Sequence, residues 1–179
     1  MKAYSLQVIN SSMDPLTYIG QLHQVVDDLV SPLEQHHAER LQCRIGCSSC
    51  CVDDISVFEV EAESIKQNNS ELLQIGRPHP VGGCAFLDAD GACRIYQHRP
   101  YVCRTQGLPL RWIEGEDGDL FEARDICPLN AEGQPLVELN AEHCWDIGPV
   151  EERLAATQQR FGEAGARVLL RSLFARPCL

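Results

Sequence analysis

The chain has 179 residues, of which 44% are hydrophobic, and this length and composition suit one domain with a sizeable core. Its net charge of −11 and its aromatic content of only 6% argue against a nucleic-acid or anionic-membrane partner. Ten cysteines fall short of the roughly 8–10% typical of a secreted disulfide scaffold, and the first residues carry no signal-peptide core. We therefore expect a cytoplasmic protein whose reduced cysteines bind metal or react.

The N-terminal third predicts helices. Residues 14–41 carry apolar side chains at helical spacing after an Asp-Pro pair, which predicts one helix, or two if the capping-box pattern Ser31-Pro32-Leu33-Glu34 begins a second. A second capping-box pattern at Ser56 and Glu59 predicts a helix to about Gln67, and SELLQIG predicts a short helical turn.

The rest of the chain predicts small β elements and a final helix. CAFLDADGACRIY has turn residues between two apolar segments and predicts a small β-hairpin, RPYVCR predicts a helical turn, and LPLRWIE with DLFEARDI predicts a second hairpin. Apolar residues from Pro149 to about Phe174 predict a long amphipathic helix. The expected fold is α+β and mainly helical: a single domain, residues 1–179, with helical segments 14–42 and 149–175 around a cysteine-rich region, residues 43–127.

Four cysteines stand within nine residues in the stretch CRIGCSSCC, residues 43–51. Cys43, Cys47 and Cys50 have the spacing CxxxCxxC, in which a short loop can direct three sulfurs to one point, as in iron–sulfur sites or, through CxxC, zinc sites. Neighbouring side chains diverge, so we do not expect Cys50 and Cys51 to bind one mononuclear ion together. Cys51 serves a second centre or is a small buried apolar residue.

Further cysteines follow at Cys84, Cys93, Cys103 and Cys127. Eight cysteines suffice for two four-sulfur sites, or for one complete site with a redox-active or structural remainder. The later cysteines lack CxxC spacing, so zinc is allowed rather than favoured. Arginines at positions 44, 94 and 104 directly follow cysteines, and they either compensate thiolate charge or have no contact with the site. His79 and His98 are close enough in sequence to be substitute ligands.

CRIGCSSCC followed by CAFLDADGACRIYQHRPYVCR resembles the CxxCxxCC cysteine-cluster family, also called YkgJ-like proteins, which is described as zinc- or iron-chelating. The resemblance covers about residues 43–127 and depends on the order of the cluster, a Cys-x-Ile-Tyr segment and an Arg-Pro-x-x-Cys-Arg segment. It implies metal chelation by Cys43, Cys47, Cys50, Cys51, Cys84, Cys93, Cys103 and Cys127. It implies no defined reaction and no role for the flanking helices.

The leading interpretation is a metal-binding protein that holds iron, as an iron–sulfur cluster of the 4Fe–4S or another type, or zinc. An S-adenosylmethionine-dependent enzyme is an alternative, because radical enzymes of that class use CxxxCxxC and flagellin lysine methylases resemble this family. Against it, the pattern lacks barrel-type strand–helix repeats, and Ser49 stands where an aromatic residue is usual. A thiol redox sensor and a structural zinc module are further alternatives. No catalytic residue is predicted.

Overall fold

A computed structural model describes residues 12–115 and 119–174 and confirms the α+β, mainly helical architecture. In chain order the elements are α1 (Pro15–His36), β1 (Ser56–Phe58), α2 (Glu59–Asn68), α3 (Ser70–Ile75), α4 (Tyr101–Arg104), β2 (Leu110–Glu114), β3 (Phe121–Asp125), β4 (Trp145–Asp146), α5 (Gly148–Phe161) and β5 (Arg167–Leu169). Short 3-10 helices occupy several of the loops. Over the described ranges, no helix is both long and apolar enough to cross a bilayer.

Helix α1 is continuous, which decides between the one-helix and two-helix predictions. Asp14 caps its N terminus by accepting hydrogen bonds from the Thr17 backbone N–H at 3.0 Å and hydroxyl at 3.1 Å. Pro32 lies within the last turns, where it removes one backbone hydrogen bond. Because Val30 and Leu33 on either side are buried in the core, the helix continues past the proline to His36.

Two apolar clusters fill the interior. The first packs α1 against α5 and includes Tyr101 and Trp145, whose indole N–H donates to the Tyr101 hydroxyl at 2.8 Å. The second lies between α2, β1 and the C-terminal segment and contains Phe86 and Phe174. Three cysteines belong to this second cluster or pack against it: Cys51, Cys84 and Cys93. The cysteine-rich region is therefore attached to the core at one side.

Two small sheets connect distant parts of the chain. Strand β1 pairs antiparallel with β5, so that Val57 lies opposite Val168. In the second sheet, β2 pairs antiparallel with β3 and parallel with β4, in the order β3-β2-β4. The β2–β3 pair confirms the second predicted hairpin, whose turn residues 116–118 lie outside the described residues.

Three elements differ in extent from their predictions. The first predicted hairpin is reduced to one β-bridge, Leu87 to Cys93, around a turn in which Asp88 accepts the N–H groups of residues 90 and 92. Helix α2 begins at Glu59, because residues 56–58 pair with β5 instead of forming the first helical turn. The C-terminal helix ends at Phe161 rather than near Phe174, since the chain turns through residues 162–166 and enters β5. Residue 175, the predicted end, lies outside the described part of the chain.

Gln158 connects α5 to the start of α2. Its side chain is fully buried, its Oε1 accepts the Val60 N–H at 2.9 Å, and its Nε2 donates to the Glu163 carbonyl at 2.9 Å. We expect Gln158→Met to lower the free energy of unfolding by about 1–3 kcal/mol, because the buried Val60 N–H loses its acceptor while the side-chain volume is kept. Denaturant unfolding measures this loss. Gln159→Met, on the exposed face of the same helix, is the control, and equal losses in both variants would contradict the explanation.

Candidate metal centre

The eight predicted ligands are free thiols, and electrostatic interactions connect them in two sets that overlap at Cys50. The thiol of Cys43 lies within electrostatic range of those of Cys47, Cys50 and Cys127, and we call these four the loop thiols. Electrostatic contacts also connect a second set, Cys51, Cys84, Cys93 and Cys103, which we call the inner thiols. Cys50 has contacts with both sets of thiols, since it also interacts with Cys51 and Cys103.

Asn130 holds the loop thiols together. Its fully buried side chain accepts the Gln42 N–H at 2.7 Å and donates to the Gly107 carbonyl at 2.8 Å and to the Cys43 Sγ at 3.4 Å. The Asn130 N–H also donates to the Cys127 carbonyl at 2.8 Å. Asn130 thus contacts Cys43 through its side chain and Cys127 through its backbone, although the two cysteines are distant in sequence. Sequence reasoning missed Asn130, whose only local signal is its place shortly after a Cys-Pro pair.

The inner thiols are attached to the core. The Cys84 N–H donates to the Cys51 carbonyl at 2.8 Å, Cys93 takes part in the β-bridge, and Cys103 lies on α4. Burial raises the pKa of three of these thiols, Cys84, Cys93 and Cys103. The hydrogen bond between Cys50 and Cys51 lowers the pKa of Cys50 to about 6 and raises that of Cys51. Buried thiols therefore favour the protonated form until a cation stabilises the thiolate.

Helices α1 and α2 fix the position of α4. Glu61, which is 3% exposed, accepts the Tyr101 N–H at 2.8 Å and contacts His23 Nε2 at 3.0 Å. Arg104, also buried, forms an ion pair with Asp27 of α1. Helix α4 carries Cys103 between these two anchors, so the first apolar cluster determines where this thiol lies.

The arginines that follow cysteines do not share one role. Arg94 donates to the carbonyls of Ala85 at 2.7 Å and Arg77 at 2.9 Å, and its charge lies within range of Cys84 and Cys93. Arg104 donates to backbone carbonyls and Asp27, whereas Arg44 is exposed. Of the three, Arg94 best combines support of the backbone with compensation of thiolate charge.

A salt bridge from the C-terminal segment fixes the loop that leads into Cys84. Arg171 pairs with Asp53 and also donates to the carbonyls of His79 at 2.7 Å, Pro80 at 3.2 Å and Gly83 at 2.9 Å. The second carboxylate oxygen of Asp53 accepts the N–H of residue 82 at 3.2 Å. We call Asp53 and Arg171 the Arg171 clamp. Sequence reasoning missed it, because Arg171 was predicted to lie on the long C-terminal helix, to which the resemblance assigned no role.

The remaining candidate ligands have other contacts, and His79 lies next to the segment of Cys84, since its N–H donates to the Ala85 carbonyl at 2.9 Å. The ring of His98 contacts the side chain of Asn69 at 3.4 Å, and the backbone of His79 belongs to the loop held by the Arg171 clamp. Cys144 is buried next to Trp145 and is a core residue. Cys178 lies outside the described residues.

The donor set fits a soft or borderline metal. Thiolates favour zinc and iron–sulfur clusters over hard cations such as magnesium or calcium. As the side chains are placed, no group of three or more His, Cys, Asp or Glu residues within 12–115 and 119–174 has the geometry to hold a metal ion. Coordination of a metal by these thiols would therefore require their side chains to change position.

Gly107 gives a direct test of the packing around the loop thiols. Its φ of 96° favours glycine, and a β-carbon there would lie 2.5 Å from the Cys43 Sγ and 3.2 Å from the Asn130 Nδ2. We expect Gly107→Ala to displace Cys43, reduce metal binding by the loop thiols and destabilise the fold. Gly165→Ala is the control, because its φ is 75° and a β-carbon there meets no atom within 4 Å.

Both alanine variants pay roughly 1–2 kcal/mol for the left-handed backbone, so the excess loss in Gly107→Ala measures the steric contact. Denaturant unfolding and bound-metal analysis of the two purified variants provide the comparison. Equal losses of stability and full metal content in both would contradict the proposed packing.

The arrangement is that of a cysteine-rich region set between helical segments. The model of the CxxCxxCC family, described as "Putative zinc- or iron-chelating domain", matches residues 42–128. The match confirms the resemblance seen in the sequence. Comparisons with curated proteins and with solved structures found no match.

Proposed function

We propose that this protein holds iron through its eight clustered cysteines, as an iron–sulfur cluster, and that zinc is the alternative metal. The observation that carries the proposal is that eight free thiols come from separate segments of the family-matched region and that Cys43 and Cys51 each have other cysteines within electrostatic range. Four thiolates are the usual ligand set of both a protein-bound iron–sulfur cluster and a closed zinc site. The CxxxCxxC spacing of Cys43, Cys47 and Cys50 favours the cluster.

The electrostatic surroundings of the inner thiols support the binding of thiolate. Arg94 and Arg171 lie within range of Cys84, and Arg94 and Arg99 lie within range of Cys93. These guanidinium groups remain charged at physiological pH and stabilise the negative charge of thiolates around a metal. When bound, an iron–sulfur cluster supplies one-electron redox chemistry, and the surrounding residues set its potential through charge, burial and hydrogen bonds.

The proposal includes a reducing compartment, the cytoplasm. The nine cysteines of residues 12–115 and 119–174 are all free, and free thiols oxidise to disulfides or sulfenic acid in an oxidising environment. Metal binding by these thiols requires that they stay reduced. The negative net charge of −11 supports a metal rather than a nucleic acid as the bound partner.

Metal and acid-labile sulfide analysis of protein purified without oxygen tests this function. Iron with comparable sulfide and a broad visible absorption supports the iron–sulfur proposal. Zinc without sulfide supports chelation and contradicts the choice of iron, and protein with neither metal, before and after reconstitution, contradicts the whole proposal. Cys144→Ser is the matched control, because Cys144 lies outside both thiol groups and should leave the metal content unchanged.

A further inference from the structure

We infer that Cys51 and Cys84 form a reversible disulfide by exchange with a low-molecular-weight disulfide such as oxidised glutathione, and that this oxidation withdraws both thiols from metal binding. Formation of the disulfide does not depend on a metal. Its competition with metal rests on the proposed function, since it requires that these thiols bind metal. The family resemblance implies chelation and does not include this pairing.

The chain segments that carry Cys51 and Cys84 run side by side. The Cys84 N–H donates to the Cys51 carbonyl at 2.8 Å, and the Gly82 N–H donates to the Asp53 carboxylate at 3.2 Å. These two contacts join residue 51 to residue 84 and residue 53 to residue 82, which is the register of two antiparallel segments. Cys51 therefore lies opposite Cys84.

This register brings the two cysteines within the reach of a disulfide. Hydrogen-bonded residues of an antiparallel pair have Cα atoms about 5.5 Å apart, and disulfides span about 4.4–6.8 Å between Cα atoms. Cys84 belongs to the second apolar cluster and Cys51 packs against it, so both side chains face the same cluster. The two thiols are also within electrostatic range of each other.

The neighbouring cysteines are poorer partners for this bond. The side chain of Cys50 is hydrogen-bonded to that of Cys51. However, adjacent residues have Cα atoms about 3.8 Å apart across a trans peptide bond, which is below the span of an unstrained disulfide. Cys93 lies opposite Leu87 in the β-bridge, three residues beyond Cys84. The backbone register thus assigns Cys84 as the partner of Cys51.

The Arg171 clamp keeps the two segments in this register while the thiols are reduced. Asp53 accepts the Gly82 N–H and pairs with Arg171, and Arg171 donates to the carbonyls of residues 79, 80 and 83. The disulfide therefore forms between segments that are already held together, and the fold does not have to rearrange.

The reaction is a thiol–disulfide exchange in two steps. Cys51 is half-buried whereas Cys84 is 7% exposed, so the Cys51 thiolate attacks the small disulfide first. One small thiol leaves, and Cys51 remains in a mixed disulfide. The Cys84 thiolate then attacks the Cys51 Sγ, and the second small thiol leaves. The two protein thiols lose two protons and two electrons, and the small disulfide gains them. A cysteine in a disulfide has no thiolate to donate to a metal.

Disulfide mapping of reduced, metal-free full-length protein after equilibration with oxidised glutathione tests the pairing. Tryptic cleavage after Arg44 and Lys66, followed by cleavage before Asp53 and Asp88, gives peptides 45–52 and 67–87. In the Cys47→Ser/Cys50→Ser variant, Cys51 and Cys84 are the only cysteines of these two peptides. We expect the two peptides to be linked and about two free thiols per chain to be lost.

The wild type and two further variants complete the mapping. The wild type and Cys144→Ser should show the same link between peptides 45–52 and 67–87, and Cys84→Ala should lose it. A reduced Cys84 beside an oxidised pair within peptide 45–52 would overturn the inference, as would a link from Cys51 to Cys93 or Cys103. Failure of the Cys47→Ser/Cys50→Ser variant to form any link while its circular dichroism matches that of the wild type would also overturn it.

Zinc-loaded wild type tests the competition with metal, because zinc has no redox chemistry of its own. Oxidised glutathione should release zinc as the link forms, and reduction of the disulfide should restore zinc binding. Formation of the link with zinc fully retained would overturn the competition. A wild type that binds no zinc, cobalt or iron would contradict the proposed function, and the metal-free mapping would still decide the pairing.

Discussion

Arg171→Met should release metal from the inner thiols while the helices remain folded. The substitution removes the ion pair with Asp53 and the hydrogen bonds to the carbonyls of residues 79, 80 and 83, and this loop leads directly into Cys84. Without the Arg171 clamp, the position of Cys84 relative to Cys51 depends on one backbone hydrogen bond and on packing in the second apolar cluster. Loss of such supporting contacts typically lowers metal affinity by about 10–100-fold. We expect the affinity of the inner thiols for metal to fall by an amount in that range.

The measurement is competitive zinc or cobalt binding, combined with far-UV circular dichroism to show that the helices are retained. Arg167→Met is the matched control, because Arg167 is an arginine in the same segment that donates to the Ser56 carbonyl at 3.0 Å and lies over the Phe58 ring, away from the cysteines. Asp53→Asn should reproduce part of the loss. Unchanged affinity and an unchanged cobalt spectrum in Arg171→Met would show that the clamp does not position a ligand.

This prediction also concerns the limits of the family domain. Arg171 lies outside residues 42–128, as does β5, which pairs with β1 inside that range. Phe174 also connects the C-terminal segment to this region. Its ring packs against Phe86, with 5.0 Å between the ring centroids, and the guanidinium of Arg94 lies over its face in a cation–π contact. The C-terminal segment therefore completes the support of the inner thiols, although the resemblance assigned it no role.

Much of the local structure was predictable because its signals are local. The Asp14-Pro15 start of α1 and the alternation of β2 and β3 around polar turn residues depend on neighbours in sequence. The positions of β1 and β5 were not predictable in the same way. Each strand has three residues and is stabilised by pairing with the other. This pairing between distant segments overrides the helical pattern of the local sequence.

The candidate site divides along the same line. Spacing and resemblance indicated which cysteines belong to it, but not which cysteine neighbours which, because that depends on the turn after Cys50 and on contacts between distant segments. The sequence contained even less indication of the residues that support the thiols. Asn130, Glu61 and Arg171 are polar residues of types common on surfaces, and their importance comes from burial and from partners far away in the chain.

Glu61 carries the second large expected effect. Its buried carboxylate accepts the Tyr101 N–H at 2.8 Å and contacts His23 Nε2 at 3.0 Å, so one side chain connects α1, α2 and α4. Glu61→Ala leaves a buried backbone donor and a buried imidazole without their partner and creates a cavity. We expect the free energy of unfolding to fall by about 3–5 kcal/mol, the range typical when one partner of a buried pair is removed.

The matched variant is Glu61→Gln, which keeps the shape of the side chain and an oxygen that can accept the Tyr101 N–H. We expect it to retain most of the stability that Glu61→Ala loses, and denaturant unfolding of both metal-free proteins measures the difference. Because Tyr101 begins α4 and Cys103 lies on the same short helix, Glu61→Ala should also weaken zinc binding by the inner thiols more than by the loop thiols. Equal stability of the two variants would mean that the hydrogen bond to Tyr101 does not fix α4, and the position of Cys103 would then have to depend on the Arg104–Asp27 pair alone.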